Sequence, residues 1–192
     1  MTKIQLKTLA VLLAVACCPA TGTASAAELA GVQMPGQMTV DDAQLTLNGL
    51  ALRTVSLLHF HVYVVGLYLD RPSHDPQAII ESPQVKLLHF VFLRDVDAAK
   101  SRRSWQNSLA RNCQAPCSLP PDEVAQFLSR VPAMHKGDIA DVLFTPRGVD
   151  FAVNGHSLGW VTDPTFARVI LLGFVGPQAS SPGVRQGILG LS

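Results

Sequence analysis

Apolar and polar positions alternate in short blocks along this chain, and the period of the blocks changes twice. Val32 to Met34 and Leu45 to Leu52 alternate or run apolar, with Asn48 and Gly49 marking an irregularity or tight turn. Leu57 to Leu69, rich in Val, Tyr, Phe and Leu and stopped by Asp70-Arg71-Pro72, reads as the central strand. Asp75 to Ser82 has the length of one short helix. Val85 to Leu93 returns as a strand, with Lys86 near its exposed start. From Asp95, a candidate cap, to Asn112 the pattern turns helical and polar, and Pro121 to Val131 is a second helix with proline in its first turn. Ile139 to Thr145, Val149 to Val153 and Ser157 to Val161 then predict three antiparallel strands, joined by Pro146-Arg147-Gly148 and Asn154-Gly155-His156. Asp163-Pro164 caps and opens a helix over Phe166 to Gly173, and Pro182 to Leu189 makes a last helix. Strands and helices fall in separate blocks, which argues for an α+β fold: an antiparallel sheet covered by a layer of helices.

Residues 1–26 do not fit that pattern. Lys3 and Lys7 form a short positive region, and Leu9 to Cys18 supply about ten apolar residues, too few to span a bilayer. Ala24-Ser25-Ala26 then has the small-x-small form that signal peptidase accepts. The segment reads as a cleavable secretory signal, leaving residues 27–192 as one domain, periplasmic or secreted and soluble. The competing reading makes Cys17 a lipoprotein acceptor, but Ala14 stands where such sites usually carry leucine. The signal removes two lysines and no acid, so 15 basic residues become 13 against 14 acidic ones. Such a balance offers no electrostatic footprint for nucleic acid. After the signal no apolar stretch reaches the length of a membrane-spanning helix, so no integral membrane segment is expected.

Candidate chemistry is sparse. Cys113 and Cys117 are the pair left after the signal, and two close cysteines in an exported chain suggest one small disulfide pinning a helix end. Free thiols and a redox pair are the alternatives, although redox motifs normally have two intervening residues rather than three. His59 and His61, two apart on the expected central strand, would share a face as metal ligands do, with His89 on the next strand. Zinc needs more ligands than that, and polar residues on a half-exposed face explain them better. Asp163 is explained as a helix cap. With no phosphate loop, nucleophile elbow or dinucleotide fingerprint, no cofactor or metal is expected.

Arg53 and Tyr63 stand out because both sit in the apolar half of the chain at an even offset, which puts them on one face if the strand is continuous. A guanidinium and a phenol at the mouth of an apolar pocket would recognise a carboxylate, the fork binding both oxygens and the hydroxyl donating a third hydrogen bond. The plain alternative makes Arg53 a solvated turn residue and Tyr63 a core aromatic.

Leu47-Asn48-Gly49-Leu50-Ala51-Leu52-Arg53, followed by His61-Val62-Tyr63-Val64-Val65-Gly66-Leu67-Tyr68-Leu69, resembles the hallmark of the chalcone isomerase-like superfamily, and most of all its exported bacterial branch. The strand and helix around Trp105, Phe166-Ala167-Arg168, Gly173-Phe174-Val175-Gly176-Pro177 and Val184-Arg185 to Leu191 are similar to later parts of that family. The resemblance implies an open-faced sandwich with a cleft between sheet and helices. It places Arg53 where the plant isomerases have an arginine that stabilises an oxyanion, and Tyr63 where fatty-acid-binding members have a tyrosine and isomerases a threonine. Trp105 and Asn112 have the seven-residue spacing of a tyrosine and an asparagine in the isomerases, with the tyrosine replaced. The implied site is therefore Arg53, Tyr63, Trp105 and Asn112, holding a fatty acid or similar apolar carboxylate without catalysis. An isomerase-like lyase in the same cleft, or a periplasmic accessory factor with a protein partner, are the alternative readings.

Overall fold

The alternating blocks become strands of one antiparallel sheet, and the helical blocks cover one of its faces. The computed structural model describes residues 26–55 and 58–191. A small hairpin comes first, β1 (Ala27–Leu29) and β2 (Val32–Met34), turning at Ala30 and Gly31 with positive φ. Then β3 (Gln37–Val40), β4 (Ala43–Val55) and β5 (Phe60–Leu69) run into α1 (Pro76–Glu81) and β6 (Lys86–Phe92). After α2 (Ala98–Asn112) and α3 (Pro121–Arg130) come β7 (Ile139–Thr145), β8 (Gly148–Val153) and β9 (His156–Val161), closed by α4 (Pro164–Val175) and α5 (Pro182–Ile188). The seven strands β3 to β9 pair in sequence order. This places β6 at the centre and β5 third, so the Leu57–Leu69 stretch is not the central strand. It also starts later, at Phe60, because a turn at Leu58 and His59, the latter at φ 50°, precedes it.

The irregularity expected at Asn48-Gly49 has a definite role. Leu47 pairs with Tyr68 and Gly49 with Leu67, so Asn48 is an extra residue, a β-bulge. One inserted residue reverses the parity of everything beyond it. Leu45 and Leu47 therefore pack with Tyr68 and Leu87 on one face, whereas Ala51 joins the main core on the other. Asn48 is buried with both ends of its amide paired: its Nδ2 donates to Ile188 O at 3.0 Å and its Oδ1 accepts from Ser73 N at 2.7 Å. Beside it, Gly49 and Gly187 let α5 lie on β4 backbone to backbone. A Cβ at Gly49 would stand 2.3 Å from Gly187 O, and one at Gly187 2.6 Å from Leu50 O.

Asp75, Asp97 and Asp163 cap α1, α2 and α4 through backbone amides of Gln77, Lys100 and Phe166. The cap of α2 is thus Asp97; Asp95 instead accepts from Lys136 N at 2.8 Å. Lys86, expected at an exposed start, is buried, and its Nζ donates to Ser82 O and Gln84 O at 2.7 and 3.1 Å. Cys113 and Cys117 are bridged at the C-terminal end of α2, where Cys113 is the cap residue. Of the proposed signal, only Ala26 lies within the described residues, and Cys17 lies outside them.

Candidate functional site

Arg53 and Tyr63 come together, although not as the even spacing along one strand implied. They lie on different strands, β4 and β5, and are direct antiparallel partners across the hairpin. Directly paired residues share a sheet face. The Asn48 bulge makes that the helix-covered face, since it sets Arg53 in phase with Ala51 and Gly49 rather than with Leu47.

Both line a cavity of about 470 Å³ between the sheet and the helices. Aromatic rings from the sheet and from the helices line it in an unbroken series. Tyr63 meets Phe90 edge-on at 5.1 Å, Phe90 meets Phe174 at 5.6 Å, and Phe174 meets Trp105 at 5.9 Å. Trp105 continues to Phe127 and Phe151 at 5.2 and 5.6 Å. Edge-to-face contacts of this kind hold the rings in fixed orientations. Gly173 lets α4 approach α2 closely, because a Cβ there would lie 2.4 Å from the Oγ of buried Ser108, itself a lining residue.

Arg53 makes one long contact, Nη1 to Ser180 O at 3.5 Å, so most of its donor fork is uncommitted within the described residues. The Tyr63 phenol is held above its ordinary pKa by burial, an effect the Arg53 charge partly opposes. It therefore stays a protonated donor at neutral pH. The acids at the cavity margin are engaged elsewhere: Glu123 accepts from Thr162 N, Asp95 from Lys136 N, and Asp141 lies 2.7 Å from His89 Nδ1.

Of the four site residues expected from the sequence, the structure brings Arg53, Tyr63 and Trp105 into the cavity. Asn112 stays out of it: its Nδ2 donates to Ser108 O and Gln178 O, tying α2 to the segment after α4. Val65, Leu67 and Leu171, which share the apolar face of the site residues, are not walls but fully packed core. Leu109 lines a separate open groove beside the disulfide. Sequence reasoning missed Phe90, Phe127, Phe151 and Phe174; the parity of β6, in phase with Tyr63 and Val65 through the pairs at Phe92 and Phe90, was the signal for the first of them. His59 sits in the turn and does not share a strand with His61. Among the described residues no three His, Cys, Asp or Glu side chains come together as a metal site requires.

A search among curated proteins finds no match. Among solved structures, a fatty-acid binding protein of Arabidopsis thaliana matches with a TM-score of 0.71 at 17% identity, over 86% of this chain and 96% of that one. At that identity the likeness speaks for the fold. The family model for chalcone isomerase-like proteins matches residues 26–190, nearly everything the sheet and helices contain, and this chain belongs to that family.

Proposed function

We propose that this chain is an exported, noncatalytic binding protein for a fatty acid or similar apolar carboxylate, in the exported bacterial branch of its family. The observation that carries the reading is the Arg53–Tyr63 cross-strand pair opening on an aromatic cavity. A guanidinium with most of its donors uncommitted and a phenol kept protonated by burial supply three donors to one carboxylate. The apolar walls suit the tail. An apolar cavity of about 150 Å³ holds a benzene ring, so a space about three times larger has the bulk a long acyl chain needs. Trp105, standing where the isomerases have a tyrosine, and the engaged acids at the margin favour binding over proton transfer. The name of the Arabidopsis relative agrees with the reading, and the signal-like residues 1–26 support export.

Mass spectrometry of the denatured, extracted protein should find co-purified fatty acids. By isothermal titration, Arg53→Ala should weaken fatty-acid binding by about 2–3 kcal/mol, the scale of a lost charge-assisted pair, and Tyr63→Phe by about 1 kcal/mol. Equal affinity of wild type and Arg53→Ala for every carboxylate tried would remove the anchor and with it this reading.

A further inference from the structure

The cavity has a second end, and a second guanidinium stands there. Arg130, in the last turn of α3, is part of the lining together with Gly159 of β9. The register separates this end from Arg53. Gly49, Leu67, Leu88, Val142, Phe151 and Gly159 make one row of direct partners from β4 to β9, so Arg53 belongs to the first strand of that row and Gly159 to the last. The rings span the gap, since the series begins at Tyr63, the partner of Arg53, and reaches Phe151, the partner of Gly159.

Arg130 keeps contact with solvent, yet its guanidinium has a definite seat. At Gly159 φ is +116°, and a Cβ there would lie 2.2 Å from Arg130 Nη1 and 3.0 Å from its Cζ. Any other residue at this position would push the guanidinium off the β9 backbone. A cation in the last turn also suits the helix dipole, but that preference calls for no place against the sheet. Among the described residues no hydrogen bond or ion pair engages the Arg130 fork. Glu123, the acid that α3 contributes to the lining, stands in the first turn, about 10 Å along the axis from Arg130. Its Oε1 accepts from Thr162 N and Asp163 N. Asp141 and Asp150 belong to the other face of the sheet, where they meet His89 and Ser157.

We propose that the preferred ligand carries an anionic group at each end, as a long-chain α,ω-dicarboxylic acid does. One carboxylate sits at Arg53 and Tyr63, the chain follows the rings, and the second carboxylate meets the Arg130 fork. This choice of ligand rests on the carboxylate-binding reading and extends it to the far end of the same cavity. A plain fatty acid would bring its methyl end against a hydrated guanidinium, whereas a terminal carboxylate makes a charge-assisted pair there. Because Arg130 is partly in water, this second pair is worth less than the one at Arg53.

Isothermal titration of the purified protein with hexadecanoic acid and hexadecanedioic acid, each below its micelle-forming concentration, tests it. The ratio of diacid to monoacid affinity should fall about fivefold in Arg130→Gln. In Arg130→Glu, where like charges meet, it should fall further. Hexadecanoic acid itself should bind both variants as it binds wild type, and cooperative melting of each shows that the fold is kept. A ratio unchanged in both variants overturns the proposal, and so does an equal loss of both acids in Arg130→Gln, which would make the arginine a support for the fold. Failure of the carboxylate-binding reading looks different: Arg53→Ala would then bind both acids as wild type does, and that result takes this proposal with it.

Discussion

At Lys86 an ammonium group is buried against two carbonyls, the oxygens of Ser82 and Gln84, and burial pulls its pKa from 10.5 down to about 8. The depressed value has a consequence for stability. Below pH 8 the lysine is charged in both folded and unfolded chains, and the folded chain carries the desolvation penalty. Between pH 8 and 10.5 the folded chain has released the proton while the unfolded chain still holds it, so stability rises with pH across that window. Tyr68, raised to about 12 by burial and the Asp141 charge, acts in the opposite sense above pH 10, where the unfolded phenol ionises first. Comparison with Lys86→Met cancels the tyrosines. Urea unfolding should show wild type gaining about 2 kcal/mol on that variant between pH 7 and pH 10. A difference that stays flat over this range would mean that the ammonium reaches water. Sequence pattern pointed the other way at this residue because a lysine opening a strand is usually solvated. Its burial depends on the chain from Ser82 to Gln84 folding over it, which no local pattern announces.

The elements themselves were largely readable from the chain, because alternation, turn residues and Asp or Pro caps are local signals. Asn154-Gly155, Asp163-Pro164 and the strand blocks all appear close to their expected bounds. Three kinds of error remain. The short strands β1 and β3 hold too few residues to show a period and went unread. The β4–β5 turn contains no Gly, Pro or Asn at Leu58 and His59, so the block expected from Leu57 began inside the turn, before the strand's true start at Phe60. Strand order is a property of the whole sheet, which is why β6 and not β5 is central. The Asn48-Gly49 break was visible, but its effect on parity needs the partner strand and α5. That contact is testable within one helix. Gly187→Ala should destabilise by about 1–3 kcal/mol, since its Cβ would press on Leu50 O at 2.6 Å and Ala51 Cβ at 2.7 Å, outweighing the helix preference of alanine. Gly183→Ala, with nothing within 4 Å, should be neutral or slightly stabilising. Urea midpoints read both, and equal midpoints for the two variants would mean that α5 slides on β4 without cost.

At the scale of the molecule, the fold class followed from segregated blocks of strand and helix, and the Arg53–Tyr63 pair followed from sequence although for the wrong geometric reason. The cavity walls did not follow. Phe90, Phe127, Phe151 and Phe174 come from β6, α3, β8 and α4, and only packing of the whole chain brings their rings together. The proposed export also belongs to this scale, since it joins the signal-like start, the cysteines and the first strand. Cleavage after Ala26 would leave β1, which begins at Ala27 and pairs Ala27 with Met34, intact; cleavage several residues later would remove it. The same compartment favours the Cys113–Cys117 bridge at the end of α2, a short loop that holds the helix end more than it stabilises the whole fold. Intact-mass measurement of periplasmic protein should therefore give a chain starting at Ala27 or within a few residues of it. Alkylation without reductant should add no mass, and reduction followed by alkylation should add two labels. A diacylglyceryl group on Cys17 would replace the soluble exported form with a lipoprotein, and two labels without reduction would show that the cysteines stay free.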